Sequence, residues 1–168
     1  MFIQIFLTQP KNKIQIKPNI IYNKIFNIMH NKKEEYLLVL NIPKINLTKK
    51  VYPLDNELNN IDKNVEILSY SKIKENNFIL AAHSGTNDNA YFNNLYLLKL
   101  TDIIFIHYEN YIYTYSVNNI YYINKTGYLK ISNDLKNKLI LITCSRKYKD
   151  KQIIVVSNLI KKTVENVK

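Results

Sequence analysis

From Glu35 onward the apolar residues of this chain arrive in short runs, each closed by polar or turn-forming residues. Runs of this length, rich in β-branched and aromatic side chains, read as strands. Tyr36-Leu37-Leu38-Val39-Leu40-Asn41-Ile42 is the first, closed by Pro43. Val51-Tyr52-Pro53 reads as a short edge piece, where proline is tolerated. Asn77 to Ala82 is a buried strand that runs into His83. Asp102 to Tyr108 and Tyr111 to Val117 alternate apolar and polar positions and form a hairpin across Glu109-Asn110, with Ile120 to Ile123 as a further strand. Leu139-Ile140-Leu141-Ile142-Thr143-Cys144 and Gln152 to Val156 complete the set, separated by the polar loop Ser145 to Lys151. Two stretches fit short helical turns: 54 to 66, with Leu58, Ile61 and Val65, and Tyr91 to Leu98, with Phe92, Leu95 and Leu98 three apart. Many short strands with turn signals between them point to a β-barrel or a sandwich with minor helices.

The 168 residues suit one domain with its own core, and 46% hydrophobic residues exclude a disordered tail. With 2 Gly and 4 Pro the chain is neither low-complexity nor collagen-like. Residues 1–34 read as an N-terminal arm and helix. The arm is Lys-rich with Pro10 and Pro18, and Ile21, Ile25, Ile28 and Met29 then recur at helical spacing. Residues 35–160 carry the strands, and 161–168 read as a charged tail. Met1 to Leu7 is apolar but too short to span a membrane, and it lacks a signal peptide's charged start and cleavage site. The expectation is a protein soluble as written, or one whose sequence here begins after an anchor.

A net charge of +11 raises nucleic acid or an anionic membrane as partners. The lysines are scattered singly, and Arg146 is the sole arginine. Readers of bases and phosphates use arginine's planar fork, so nucleic acid is not the expected partner. The single cysteine excludes an internal disulfide and any thiolate-based zinc site.

That cysteine, Cys144, shares its context with His83: each ends a buried apolar run and each is followed by a polar loop. If the two strands are near one another, thiol and imidazole converge on one rim. A thiol of ordinary pKa near 8.5 holds little thiolate at neutral pH. An imidazole beside it can take its proton, stabilise the thiolate and later protonate a leaving amine. The bland reading is that a lone cysteine next to apolar residues fills core space. His107, inside a strand, reads as a surface or hairpin residue, and His30 as a solvated or capping residue at a helix end.

The order of segments from about Leu40 to Val156 resembles the sortases, the cysteine transpeptidases of Gram-positive bacterial surfaces; it is class B/D-like, with the subclass left open. Leu40-Asn41-Ile42-Pro43-Lys44-Ile45-Asn46-Leu47 is similar to their opening strand, and Asn77-Phe78-Ile79-Leu80-Ala81-Ala82-His83-Ser84 to the strand that carries their histidine. Phe92-Asn93-Asn94-Leu95 resembles the short helix beyond it, and Thr101-Asp102 stands where the family often has Gly-Asp. Leu141-Ile142-Thr143-Cys144 resembles the family's Thr-Leu-x-Thr-Cys signature. The resemblance implies a closed, mainly antiparallel all-β barrel of sortase type, with an N-terminal helix and short connecting helices. It implies a cell-surface transpeptidase at the outer face of the membrane, with peptide hydrolysis as a side reaction. Cys144 would be the nucleophile and His83 its partner. The substrates would be an LPxTG-like sorting-signal peptide and an amine acceptor, either a peptidoglycan precursor or a pilin lysine. No metal or organic cofactor is expected, and membrane contact only through an anchor not visible in this chain. One departure stands out. The family places an arginine at the start of the strand after the cysteine, and Gln152 stands there. Gln152, Arg146 and Thr143 are therefore the candidates for oxyanion and substrate support, with Lys151 a further substitute for the missing charge. A weakened or silent sortase-like barrel that acts as a binding or structural module is the alternative.

Overall fold

The computed structural model describes residues 35–126 and 135–165. The arm and helix expected over 1–34 lie outside them, as does most of the polar stretch before Lys138. Eight strands follow one another: β1 (Leu38–Ile42), β2 (Leu47–Val51), β3 (Glu66–Ile67), β4 (Phe78–Ala81), β5 (Ile103–Tyr108), β6 (Tyr111–Asn124), β7 (Lys138–Cys144) and β8 (Lys151–Val164). They form one sheet in the order β2-β1-β5-β6-β8-β7-β4-β3, curled into a nearly closed barrel. Every neighbouring pair is antiparallel except β4 with β7. Among the described residues, no helix is long and apolar enough to cross a membrane.

Local chemistry sets the connections. Pro43 closes β1 and opens a 3-10 turn over Pro43–Ile45, and Asn46 takes the left-handed conformation (φ 51°) that lets the chain reverse into β2. Two residues join β5 to β6, since Tyr108 pairs with Tyr111. β2 is an edge strand and shows Lys50 to solvent, with Lys49 half-buried, a pattern that discourages pairing with another chain.

The strands bury two apolar clusters, one on each face of the sheet. Inside the barrel lie Leu38, Leu40, Phe78, Leu80, Leu139, Leu141, Ile153 and Val155, among others. Phe78 meets the rings of Tyr108, Tyr113 and Tyr115 edge-on at centroid distances of 6.1, 6.0 and 6.4 Å. Tyr115 is fully buried, and its hydroxyl donates to the Asn76 carbonyl at 2.7 Å, so its one polar atom is satisfied. Burial pushes that phenol well above its ordinary value. On the other face Ile79, Ala81, Ile140, Ile142 and Ile154 form the second cluster, covered in part by Ile61, Leu68, Ile123 and Leu135. This is why β4 and the middle of β7 read as unbroken apolar runs: they are buried on both faces.

Four expectations are corrected. The stretch 54–65 forms turns and no helix, because asparagine side chains bond the nearby backbone there, as Asn56 Oδ1 does with the Leu58 N–H and Asn60 Oδ1 with the Asp62 N–H. The edge piece sited at Val51-Tyr52-Pro53 is the strand Leu47–Val51, and Tyr52 and Pro53 follow its end. The strand expected at Ile120 to Ile123 is the continuation of β6, which passes through a register shift between Val117 and Asn119. The tail expected from Lys161 is strand as far as Val164, where Lys161 to Val164 pair with Thr114 to Tyr111.

Thr101 adopts φ 72°, a conformation that a β-branched side chain enters only with strain. Its N–H donates to the Val117 carbonyl at 2.8 Å, which holds it there. Glycine, the residue often found at this place in the resemblance, has no such penalty. Thr101→Gly is expected to stabilise the fold by about 1 kcal/mol after glycine's greater chain entropy is counted. A thermal unfolding curve should show Tm raised by roughly 3 °C.

Candidate active site

Three neighbouring strands, β8, β7 and β4, build the site through their registers. β7 pairs with β8 so that Cys144 stands opposite Gln152. β4 runs parallel to β7 with Ala81 beside Ile142. The pairing continues past the end of β4: the Ala82 N–H donates to the Ile142 carbonyl at 3.3 Å, and Thr143 Oγ1 donates to the Ala82 carbonyl at 2.7 Å. Ser84 Oγ then donates to the Cys144 carbonyl at 2.6 Å. These bonds carry the register on to His83 beside Cys144.

Strand alternation fixes the faces. Leu139 and Leu141 belong to the inner cluster and Ile140 and Ile142 to the outer one, so Thr143 continues the inner series and Cys144 the outer. By the same count His83 follows Ile79 and Ala81, and Gln152 precedes Ile154, all on the outer face. Gln152 and Cys144 are paired on β8 and β7, and His83, two residues past the end of β4, continues their row at the edge of the outer apolar cluster. Thr143 is buried and donates its hydroxyl to the Ala82 carbonyl, which ties β7 to the chain just past β4, and it lines the cleft beside Cys144.

Cys144 is half-buried and carries a free thiol. A small cleft opens beside it, walled by Tyr96, Tyr122, Ser145, Arg146 and Ile153. Arg146 folds back toward this cleft, with its guanidinium carbon 6.0 Å from the centre of the Tyr96 ring. The loop that carries it is held by Ser145, whose Oγ accepts the N–H groups of Lys147 and Tyr148 at 3.1 and 2.9 Å, and whose N–H donates to Lys151. Tyr148 packs edge-on against Tyr122 of β6 at 5.1 Å. Lys151, the first residue of β8, places its ammonium 5.2 Å from the Tyr148 ring.

His83 has a side chain about two-fifths exposed, and its Nε2 lies 2.9 Å from Asp62 Oδ1. Among the described residues no hydrogen bond joins it to Cys144. Asp62 sits in the turn between β2 and β3. Nothing in the sequence singles it out: it is one of several polar residues between the spaced apolar positions Leu58, Ile61 and Val65. The remaining histidine of the barrel, His107, pairs through Nδ1 with Glu165 at 2.8 Å on β5, away from the row.

A family model for the sortase domain matches residues 40–160, the whole of the stretch that builds this row. No curated protein sequence matches the chain. Among solved structures it is similar to sortase C from Streptococcus pneumoniae, with 18% identity over 81% of this chain and 74% of that one and a TM-score of 0.67. Sortase A from Listeria monocytogenes matches with 19% identity over 77% and 90% and a TM-score of 0.63. The sortase D5 transpeptidase of Clostridium perfringens matches with 20% identity over 83% and 89% and a TM-score of 0.61. At these identities the structures show the shared barrel, and the domain match covering most of the sequence shows the family: the chain belongs to the sortases, a family of cysteine transpeptidases.

Proposed function

We propose that this sortase transfers an acyl group from a sorting-signal peptide, resembling Leu-Pro-x-Thr-Gly, to an amine of the cell wall or of a pilin, with Cys144 as nucleophile and His83 as acid and base. The observation that carries this reading is the register that pairs Gln152 with Cys144 and brings His83, just past β4, alongside them.

The steps follow from those groups. The Cys144 thiolate attacks the scissile carbonyl, a Sγ–C bond forms, and the carbonyl electrons move to oxygen. Gln152, beside the thiol, offers its amide N–H to that oxygen. When the tetrahedral adduct collapses the C–N bond breaks, and the departing amine takes its proton from the His83 imidazolium. The acceptor amine then attacks the thioester, gives a proton to the imidazole, and releases Sγ as thiolate. Arg146, at the mouth of the cleft, orients the peptide by donating to its carbonyls. The work is set at the outer face of the cell membrane, where the family acts. Water in place of the acceptor amine gives hydrolysis as a side reaction.

One observation favours a second reading, a silent barrel that binds without reacting. The strand partner of Cys144 is a neutral amide where the family has an arginine. Incubation with a library of sorting peptides and an amine such as triglycine separates the two. Intact-mass measurement should find a thioacyl adduct on the protein and a transferred peptide in solution. Peptide binding without adduct for any library member would establish the silent barrel instead.

A further inference from the structure

We infer that Asp62 is a positioning residue for His83, and that its carboxylate supplies through the imidazole part of what the absent arginine would supply directly. The inference rests on the reading that Cys144 and His83 react together.

The backbone that carries the carboxylate is held in place, although the side chain itself is 78% exposed. The Asp62 N–H donates to Asn60 Oδ1 at 2.8 Å, and the Asp62 carbonyl accepts from Asn89 Nδ2 at 2.7 Å. The same turn is tied to β3 by Asn59, which donates to the Ile67 carbonyl and accepts from the Ile67 N–H at 3.1 and 2.8 Å. Ile61, its immediate neighbour, packs on the outer apolar cluster. The backbone of Asp62 is thus fixed to β3, to the loop after His83 and to the sheet face. A charge on such a support holds its partner's ring with little loss of freedom on reaction.

The geometry then assigns the ring nitrogens. With Nε2 facing a carboxylate oxygen at 2.9 Å, the proton of the neutral ring belongs on Nε2. Nδ1, which has no partner among the described residues, is left to exchange protons with the thiol and the leaving amine. When Nδ1 is protonated the imidazolium is paired with Asp62. Gln152 brings no formal charge to the other side of Cys144, so the His83 imidazolium, held by Asp62, is the one cation that the row itself can supply. Other charges near the rim are Lys63, next in the Asp62 turn, Asp88 in the loop after His83, and Arg146 and Lys147 beyond Cys144.

The test uses the whole protein and two readouts. Alkylation of Cys144 by iodoacetamide at pH 7 reports the thiol without any peptide, and single-turnover acylation reports the reaction. Asp62→Asn, which keeps shape and loses charge, should slow both about tenfold, with the peptide KM and Tm unchanged and with Asp62→Glu restoring most of the loss. Gln152→Arg in the Asp62→Asn background should restore acylation to near the starting rate. If Asp62→Asn alkylates and acylates within twofold of the natural protein while His83→Gln is slow, Asp62 has no such role and the Cys144–His83 reading stands. If His83→Gln also alkylates and acylates at the natural rate, the pair itself fails and the inference with it.

Discussion

Cys144→Ala should leave a folded barrel that forms no adduct with any sorting peptide, with transfer lowered roughly 10,000-fold or more, as for other enzymes that lose their nucleophile. Alanine keeps the β-carbon, and the thiol it removes is only half-buried, so Tm should move by no more than about 2 °C. The contrast between an intact melting curve and a vanished adduct is what the experiment reads. Because Cys144 is the only cysteine, any thioester seen in the natural protein must be its own. Transfer persisting in the alanine variant would mean that the acyl group never passes through sulfur.

Gln152→Ala should lower acylation about 100-fold, near the loss found when one donor to a developing oxyanion is removed. The expectation follows from register: Gln152 is directly opposite Cys144 on β8 and emerges on the same face. Its amide donates a neutral hydrogen bond, and a guanidinium in its place would donate a charged and forked one. Gln152→Arg should therefore exceed the natural protein, by about tenfold in single-turnover acylation. Equal rates for glutamine, alanine and arginine at this position would transfer the supporting role to Arg146, whose own replacement by glutamine would then show the loss.

Much of this row is legible in the sequence. Cys144 and His83 each end an apolar run, and a residue at the rim of a buried strand is exposed on a fixed support. Gln152 was legible through its place at the head of the next run. What could not be read was which strands lie side by side. β4 and β7 are joined by a parallel pairing between distant segments, and nothing local specifies it. Asp62 was invisible for a related reason: its role comes from where a turn of asparagines delivers it, and the turn has no pattern of its own. The long strands β6 and β8 extend beyond the apolar runs that mark them in the sequence. Asn118-Asn119 has the look of a break but occupies the register shift at which β6 bends and continues. Past Val156 β8 mixes Ser157 and Asn158 with Leu159 and Ile160, and from Ile160 to Lys162 it is exposed, so the pattern of a buried strand fades while the pairing persists.

The parallel pair has a consequence for how the protein comes into being. His83 is made early and Cys144 late, and the strand that lies between β6 and β7 is β8, the last of all. The row cannot exist until the final strand has inserted, because β7 is held on one side by β4 and on the other by β8. Contacts this distant in sequence form slowly, after a costly closing of the intervening loops. The nascent or partly folded chain therefore carries an isolated sulfhydryl with neither imidazole nor amide beside it. If the proposed pair activates the thiol, fast iodoacetamide labelling should appear during refolding only in the step that completes the barrel, and its onset would time that closure.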